Sequence, residues 1–297
     1  MLKNLDDIMQ YVKENKKRKI AIVAAEDEEI IEVVDEASNL GLAEFILIGS
    51  QQDINRVFAE NNKQCNYEII DEPDHKKAAE KAVELVHEGK AEALMKGNLH
   101  TGVFLKAILN KEKGLNLGRL VSQVSIFDKE YGEGLQLLTD CAMAIEPTLD
   151  EKKMIIENAI SLALKLGYTK PKVALLSALE VVNPAIKDTY EAAVLSKMGD
   201  RGQIKNAIID GPFALDNAIS IEAAKYKGIE SEVAGQADIL VVPNLQVGNT
   251  LTKSITFYAH KDVASAVMGA GAPIIMTSRT DSLRNKILSI AIASYIS

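Results

Sequence analysis

The sequence predicts an α/β fold of two doubly wound domains, each a parallel sheet with helices on both faces. Short apolar runs recur along the chain and suit buried strands, and stretches of helical periodicity separate these runs. The length of 297 residues favours two domains, since one hydrophobic core rarely serves so long a chain. We therefore expect a ligand cleft between the two domains.

The first half of the chain alternates strands and helices in a regular order. Acidic residues at 26–29 suit the positive amino end of a helix, which we expect to continue to about residue 40. Further helices are expected to begin near Asp74 and His100. The strands of this half are predicted at 20–25, 45–48, 67–70 and 93–95.

After Gly118 the pattern changes to two consecutive strands, joined by a turn at 129–134, and this change is typical of a link between domains. From residue 150 the alternation resumes, and the strand and helix after Pro273 are expected to return to the first sheet. The strands in this part are predicted at 120–127, 135–138, 173–176, 207–209 and 239–242, and the helices at 150–166, 184–197 and 249–260. The predicted domains are 1–138 plus 273–297, and an inserted domain, 139–272.

The composition excludes several classes of protein. A net charge of -8 and a pI near 5.2 disfavour binding to nucleic acid or to a membrane surface, because both reward an excess of Lys and Arg. Cys65 and Cys141 have no paired spacing and no His cluster, so we expect two buried thiols, with no disulfide and no metal site. Acidic residues near the start and the lack of a long apolar run predict a soluble, cytoplasmic protein.

The segment Ser278-Arg279-Thr280-Asp281 ends the last predicted strand and begins a helix. It brings a hydroxyl, a guanidinium and a carboxylate to the carboxyl end of a buried strand, where helix N–H groups already favour anions. Phosphate is the anion that this chemistry favours. The alternative is that Ser278 and Asp281 are capping residues and that Arg279 is solvated.

The loop after the strand at 93–95 is a second candidate for an anion site. Gly97 and Asn98 can adopt positive φ and leave their N–H groups pointing outward, while Lys96, His100 and Thr101 offer side-chain donors. The alternative is an ordinary helix start, capped by Asn98 or Thr101.

Gly211-Pro212 follows the strand predicted at 207–209 and forbids continuation as a helix. It separates two carboxylates, Asp210 and Asp216, either of which could accept a proton. The alternative is local turn chemistry, in which Asp210 bonds its own backbone and Asp216 starts a helix.

Amide side chains and glycine follow the strand predicted at 239–242. Pro243, Asn244 and Asn249 suit a long polar ligand such as a pantetheine arm, and Gly248 permits a close approach of the backbone. The alternative is a loop that ends at a helix capped by Asn249.

These segments, in this order, resemble the phosphate acetyl/butyryltransferase family, and within it the butyryltransferase branch. The resemblance extends over nearly the whole chain and is carried by Met95–Thr101, Asp210-Gly211-Pro212 with Asp216, 231–238, Pro243-Asn244 with 248–250, and Ser278-Arg279. It implies a two-domain fold like that of isocitrate and isopropylmalate dehydrogenases. It also implies reversible conversion of a short-chain acyl-CoA and orthophosphate to an acyl phosphate and CoA, by direct transfer. CoA is then a substrate, no cofactor is bound permanently, and the chain forms a homodimer or a larger homo-oligomer.

The resemblance also implies roles for particular residues. Ser278 would stabilise the developing charge, Arg279 would hold phosphate, and Asp281 would take the proton of the CoA thiol. Where acetyl-specific relatives read Ser-Arg-Gly-Cys-Ser with an Asp farther along the helix, this chain has Asp281 and then Asn285 near the later position. Lys106 stands where those relatives have an Arg, and Lys lacks the bidentate fork of Arg.

Two other functions are compatible with such an architecture. One is a metal- and NAD-dependent decarboxylating dehydrogenase, although the strand ends here carry amides, Gly and Ser instead of clustered Asp. The other is a non-catalytic two-domain protein that closes on an anion. The residues leave the acyl chain length open.

Overall fold

The computed structural model describes residues 2–297. The first part of the chain contains α1 (Leu5–Glu14), β1 (Lys19–Val23), α2 (Glu28–Asn39), β2 (Glu44–Gly49), α3 (Gln51–Glu60), β3 (Glu68–Asp71), α4 (His75–His87), β4 (Ala93–Lys96) and α5 (Thr101–Ile108). The middle contains β5 (Ser122–Asp128), β6 (Leu135–Thr139), α6 (Leu149–Lys165), β7 (Lys172–Leu176), α7 (Lys187–Asp200), β8 (Ile208–Phe213), α8 (Leu215–Ile219), α9 (Ile221–Tyr226), β9 (Ile239–Val241) and α10 (Leu245–Phe257). The last part contains β10 (Ala264–Met268), β11 (Ile274–Ile275) and α11 (Leu283–Ile296).

These elements form two compact units. The first unit comprises Asp6–Arg119 and Ala264–Ser297, and the second comprises Leu120–Val263 with the residues up to Leu5. Both units differ in their limits from the domains expected at 1–138 plus 273–297 and at 139–272, and those boundaries stay a prediction.

The sheet of the first unit has the strand order β3-β2-β1-β4-β11-β10. The pairs β2–β3, β1–β2, β1–β4 and β4–β11 are parallel, and β10–β11 is antiparallel. The order of the chain reverses between β1 and β4, which makes this position the topological switch point of a doubly wound sheet. Side chains capping α2, α3 and α4 at Asp27, Ser50 and Asp74 account for sharp helix starts after β1, β2 and β3.

The strands of the first unit are apolar on both faces because helices cover both faces. Ile20, Ile22, Leu47 and Leu94 are all fully buried. Phe104 of α5 is also fully buried, so the helix that follows β4 is anchored by an aromatic side chain.

The sheet of the second unit has the strand order β5-β6-β9-β7-β8. The pairs β6–β9, β7–β9 and β7–β8 are parallel, and β5 and β6, the two consecutive strands that were predicted, form an antiparallel pair. Its turn closes with a hydrogen bond of 3.0 Å from the N–H of Lys129 to the carbonyl of Gly134. Phe127, Leu138 and Phe213 belong to its core.

The predicted α/β class is confirmed, and three elements differ from the prediction. The strand predicted to end at residue 209 continues as β8 through Gly211 and Pro212 to Phe213, because a register shift against β7 accommodates this pair. Helix α10 begins at Leu245 instead of near residue 249, and β10 was not predicted. Cys141 is buried as expected, but Cys65 is partly exposed.

Membrane-spanning helices were also sought. Within residues 2–297, every helix is too short or too polar to cross a bilayer.

The buried aromatic of β8 provides a test of the second core. Phe213 is 2% exposed, whereas Phe257 on α10 is 54% exposed. We expect Phe213→Ala to lower the free energy of unfolding by about 3–5 kcal/mol, because it leaves a cavity. Phe257→Ala is the matched control and should cost less than about 1 kcal/mol. Urea unfolding followed by circular dichroism measures both, since the chain lacks Trp. Equal losses would contradict this description of the core.

Candidate active site

The carboxyl ends of three neighbouring parallel strands define the candidate site. Strand β4 pairs with β1 on one side and with β11 on the other, in the register Met95 to Ile22 and Met95 to Ile275. The segments that leave these three strands therefore meet at one edge of the first unit's sheet. This edge includes the switch point between β1 and β4, where doubly wound sheets bind ligands.

A cavity of about 40 Å³ lies at this edge, several times the roughly 10–15 Å³ that one water needs. The residues that line it are Asp27, Glu29, Ile30, Lys96, Gly97, Asn98, Thr277, Ser278, Arg279 and Lys286. The structure thus brings together the predicted anion loop after β4 and the predicted Ser-Arg segment after β11. It places three cationic side chains and two carboxylates around one small volume.

A larger cavity of about 570 Å³ lies at the opposite ends of the strands. Four lysines and three glutamates line it, including Lys19 and Glu68, whose charged atoms are 3.8 Å apart. Those charges largely compensate one another, and the amino ends of parallel strands are not where α/β sheets bind ligands. We therefore assign the chemistry to the smaller cavity.

Gly97 is required by a close approach of two backbone segments, not by positive φ. Its N–H donates to the carbonyl of Val23 (2.8 Å), and a Cβ on Gly97 would lie 2.2 Å from the carbonyl oxygen of Ala24. The N–H of Asn98 donates to the same Ala24 carbonyl at 2.8 Å, so the expectation that both N–H groups point outward was wrong. Ala24 itself has the positive φ, of 58°.

Lys96 is held inside this loop. Its Nζ donates to the carbonyls of Gly97 and Leu99, both at 3.0 Å. Burial lowers the pKa of Lys96, and the positive charge of Arg279 lowers it further, against the opposing effect of Asp27. The effect of Arg279 on this pKa indicates that the two cations share one electrostatic environment.

Helix α5 places the other predicted residues of this loop. His100 is its N-cap and makes no side-chain capping hydrogen bond, so neither Asn98 nor Thr101 is the cap. Thr101 is exposed in the first turn, and Lys106 is exposed in the last turn. His100, Thr101 and Lys106 lie outside the set of residues that line the cavity.

The segment after β11 forms a tight turn with internal hydrogen bonds. The carboxylate of Asp281 accepts the N–H of Ser278 at 2.7 Å, and the hydroxyls of Ser278 and Thr280 are 3.0 Å apart. The N-cap of α11 is Ser282, which accepts the N–H of Asn285 at 3.2 Å. The alternative in which Ser278 and Asp281 cap the helix was therefore wrong, and the turn holds Ser278 and Arg279 at the cavity.

Sequence reasoning missed Lys286 and Glu29. Lys286 lies on α11, its side chain is only 4% exposed, and it forms an ion pair with Glu29 near the amino end of α2. Burial lowers the pKa of Lys286, and Asp27 opposes this effect. The available signal was a lysine in a helix that is otherwise largely apolar, since such a lysine needs a partner.

Gly211, Pro212 and Asp216 lie in the second unit. A Cβ on Gly211 would lie 2.7 Å from that of Leu175, so this glycine allows β8 to approach β7 closely. Asp216 is in the first turn of α8 and its carboxylate lies 3.2 Å from Nζ of Lys227. Slight burial raises the pKa of Asp216, but the N–H of Asn217 and the charge of Lys227 lower it more, so the net shift is downward.

Pro243, Asn244, Gly248 and Asn249 belong to the start of α10. Asn244 is the N-cap and accepts the N–H of Val247 at 3.1 Å, so the interpretation of Asn249 as the cap was wrong. A Cβ on Gly248 would lie 2.2 Å from the carbonyl oxygen of Asp140. The close approach that Gly248 permits is therefore to the protein's own backbone.

Asp140, also missed from the sequence, organises the loop beneath α10. Its buried carboxylate accepts four backbone N–H groups, those of Gln123, Ala142, Met143 and Ala144, at 2.8–3.2 Å. Burial raises the pKa of Asp140, although these hydrogen bonds favour the ionised form. The same loop bonds to the start of α10 through the carbonyl of Ile145.

Comparison with known proteins gives one consistent result. The family model described as phosphate acetyl/butaryl transferase matches residues 63–294. A phosphate butyryltransferase of Clostridium acetobutylicum is 43% identical over 297 residues, covering 100% of this chain and 99% of the relative. Two solved structures also match over nearly their full lengths. A branched-chain phosphotransacylase from Enterococcus faecalis has a TM-score of 0.83 and 34% identity, covering 94% of this chain and 98% of that one.

The second structure, described as a 4-hydroxythreonine-4-phosphate dehydrogenase from Salmonella typhimurium, has a TM-score of 0.61 at 15% identity. It covers 95% of this chain and 100% of that one, and it shows the fold alone. The fold is thus the isocitrate and isopropylmalate dehydrogenase-like one that was predicted. The chain belongs to the phosphate acetyl/butyryl transferase family and is an acyltransferase.

The positive charge of Arg279 lowers the pKa of Lys96, so removing that charge should produce a measurable change in this pKa. Arg279→Gln removes a like charge, so we expect the pKa of Lys96 to rise and its neutral, nucleophilic fraction at alkaline pH to fall. Competitive labelling of lysines with trace acetic anhydride, read by mass spectrometry across pH, measures that fraction. Lys165 of the second unit is the control, because burial alone lowers its pKa. An unchanged or lower pKa of Lys96 would contradict the shared environment.

Proposed function

We propose that this chain catalyses the reversible transfer of a short acyl group between CoA and orthophosphate, directly and within a ternary complex. The observation that carries this proposal is the convergence of Lys96, Ser278 and Arg279 on one cavity at the switch point of the sheet. Membership of an acyltransferase family favours it over the dehydrogenase and the non-catalytic anion-binding protein.

Arg279 and Lys96 bind the phosphoryl group in this proposal. A guanidinium offers a planar pair of N–H donors that matches two phosphoryl oxygens, and the Lys96 ammonium adds a point charge. The amino end of α2 borders the same cavity at Asp27 and Ile30, so the helix dipole adds a further favourable field. Gly97 and Asn98 complete the wall.

The proposed reaction needs one group that accepts the thiol proton and one group that donates a hydrogen bond to the oxyanion. The CoA thiol loses its proton to the Asp281 carboxylate, and the thiolate attacks the carbonyl carbon of the acyl phosphate. Ser278 donates a hydrogen bond to the oxyanion of the tetrahedral intermediate, which collapses to the thioester as the C–O bond to phosphate breaks. The leaving orthophosphate stays on Arg279, and the reverse reaction uses the same groups.

The remaining predicted residues are assigned to the CoA substrate. His100, Thr101 and Lys106 offer donors along α5, and Asp216 and Asn244 offer polar groups in the second unit. The further members of this set are Gly211, Pro212, Pro243 and Gly248, whose small or rigid backbones shape the loops, together with Asn249. Asn249 supports this shaping role, because its Nδ2 lies 3.5 Å from the carbonyl oxygen of Cys141.

A homodimer or larger homo-oligomer is part of the proposal. This part rests on the resemblance to the phosphate acetyl/butyryltransferase family, which implies such an assembly. The mass of the particle in solution, measured by light scattering, tests this part by itself.

The decisive experiment measures phosphate-dependent release of CoA thiol from acetyl-, butyryl- and isobutyryl-CoA. We expect release that requires orthophosphate and that shows saturation in both substrates. The ranking of the three thioesters determines the acyl preference, where one methylene is worth about 1–3 kcal/mol. No release from any of the three would overturn the proposed function.

Ser278→Ala tests whether the hydroxyl of Ser278 donates the hydrogen bond that stabilises the oxyanion. We expect kcat to fall by about 10²–10³-fold, because one hydrogen-bond donor to the oxyanion stabilises the transition state by about 2.7–4 kcal/mol. The free energy of unfolding should change little. Ser161→Ala, on the exposed face of α6, is the matched control and should retain full activity. Normal turnover by Ser278→Ala would remove this residue from the mechanism.

Asp281→Asn tests the proton acceptor. A carboxylate base must be ionised, so kcat for thioester formation should rise with pH through the pKa of that carboxylate, which gives the pH profile an acid limb. Asp281→Asn should lower kcat and abolish this acid limb. Asp281→Glu keeps a carboxylate and should retain the limb. If Asp281 only orients Ser278 through its hydrogen bond, the limb persists in Asp281→Asn at reduced kcat, which would refute the assignment as base.

A further inference from the structure

Lys286 is a buried cation that the proposed mechanism does not use. It lies in the second turn of α11, four residues after the N-cap Ser282, and its side chain is 4% exposed. The side chain lines the same cavity as Ser278 and Arg279. Lys286 forms an ion pair with Glu29 of α2, whose side chain is 42% exposed.

The geometry points to Lys286 as a third phosphate-binding residue, one that Glu29 holds in place until the phosphoryl group enters. This inference rests on the proposed function, because it assigns a further residue to the phosphoryl subsite of the same reaction.

The position of the ammonium supports this assignment. A lysine is almost never buried without a partner, and here the partner is a carboxylate that is 42% exposed, while both residues line the cavity. An ammonium has three N–H donors, so an oxyanion can be bound while Glu29 remains close. Lys286 therefore has a donor geometry that suits a transient ligand as well as its resident partner.

The charge balance of the cavity supports it as well. Asp27 uses its carboxylate to cap α2, accepting the N–H groups of Glu29 and Ile30 at 3.1 and 3.3 Å. Glu29 is paired with Lys286. With both carboxylates engaged in this way, an entering phosphate is met by Lys96, Arg279 and Lys286, whose positive charges are opposite to its own.

A purely structural ion pair predicts different behaviour from a binding residue. If Lys286 and Glu29 only stabilise the contact between α11 and α2, then removing either partner breaks the same pair and has the same effect. If Lys286 binds phosphate, removing Lys286 weakens binding, whereas removing the charge of Glu29 frees the ammonium for phosphate.

The test compares Lys286→Met and Glu29→Gln by two readouts. One readout is the KM for phosphate against the KM for butyryl-CoA, and the other is equilibrium dialysis with radiolabelled orthophosphate. We expect Lys286→Met to raise the KM and Kd for phosphate by about 10–100-fold, as for loss of a charge-assisted hydrogen bond, with the KM for butyryl-CoA changed less than about 2-fold. Glu29→Gln should bind phosphate as tightly as the unaltered chain or more tightly.

The controls separate folding from binding. The double variant Lys286→Met with Glu29→Gln leaves neither charge uncompensated and should show the same loss of phosphate binding. Lys152→Met breaks a matched buried pair in the second unit, where Lys152 lies 2.6 Å from Glu191, and should leave the KM for phosphate unchanged.

Unchanged phosphate binding in Lys286→Met would overturn the inference. If this single variant does not fold, unchanged phosphate binding in the double variant would overturn it. Equal weakening by Glu29→Gln would overturn it too. If the unaltered chain binds phosphate but releases no CoA, the proposed function fails while the dialysis still decides the role of Lys286.

Discussion

The pairing of a two-residue strand with β4 determines the candidate site. Ile274 and Ile275 of β11 lie in register with Leu94 and Met95, which are about 180 residues earlier in the chain. This short parallel contact is what brings the turn at Ser278 beside the loop at Lys96. The paired residues of both strands, Leu94, Met95, Ile274 and Ile275, are fully buried, so this contact lies in the core of the first unit.

The same edge of the sheet gathers positive charge, which is unfavourable unless it is compensated. The structure compensates it locally. Lys96 donates to two backbone carbonyls, Lys286 pairs with Glu29, and Asp27 raises the pKa values of both lysines. The pKa of each lysine is nevertheless lowered, which means that the charged form of each side chain is still destabilised by burial. An entering dianion would stabilise both charged forms.

Much of this arrangement follows from local sequence, and the part that does not depends on distant contacts. The apolar runs predicted β1 and β4, because burial acts within a few residues, and the polar residues after the strands pointed to Lys96 and Ser278, which line the cavity. The role of Gly97 was misassigned because the constraint comes from Ala24, a residue of another strand end. Lys286 was missed for the same reason, since its partner Glu29 is on α2.

The second unit shows a related limit of sequence reasoning. Gly211-Pro212 signals a strand end locally, yet β8 continues to Phe213, because the neighbouring strand shifts register to accept the pair. Asn244 and Asn249 are both acceptable helix caps by type. Their roles differ because Gly248 must pack against Asp140, which fixes the start of α10 at Leu245.

The turn from Ser278 to Asp281 leads directly into α11, a helix that is largely buried. Eleven of the fourteen residues of α11 are buried, and Ser282 fixes its start. The N–H and hydroxyl of Ser278 already have partners within the turn, so its backbone is ordered before any substrate arrives. A group held in this way loses little further entropy in the transition state, which is an advantage for the direct transfer that we propose. Arg279 is exposed to solvent, but it belongs to the same hydrogen-bonded turn, so its backbone is also ordered before a substrate arrives.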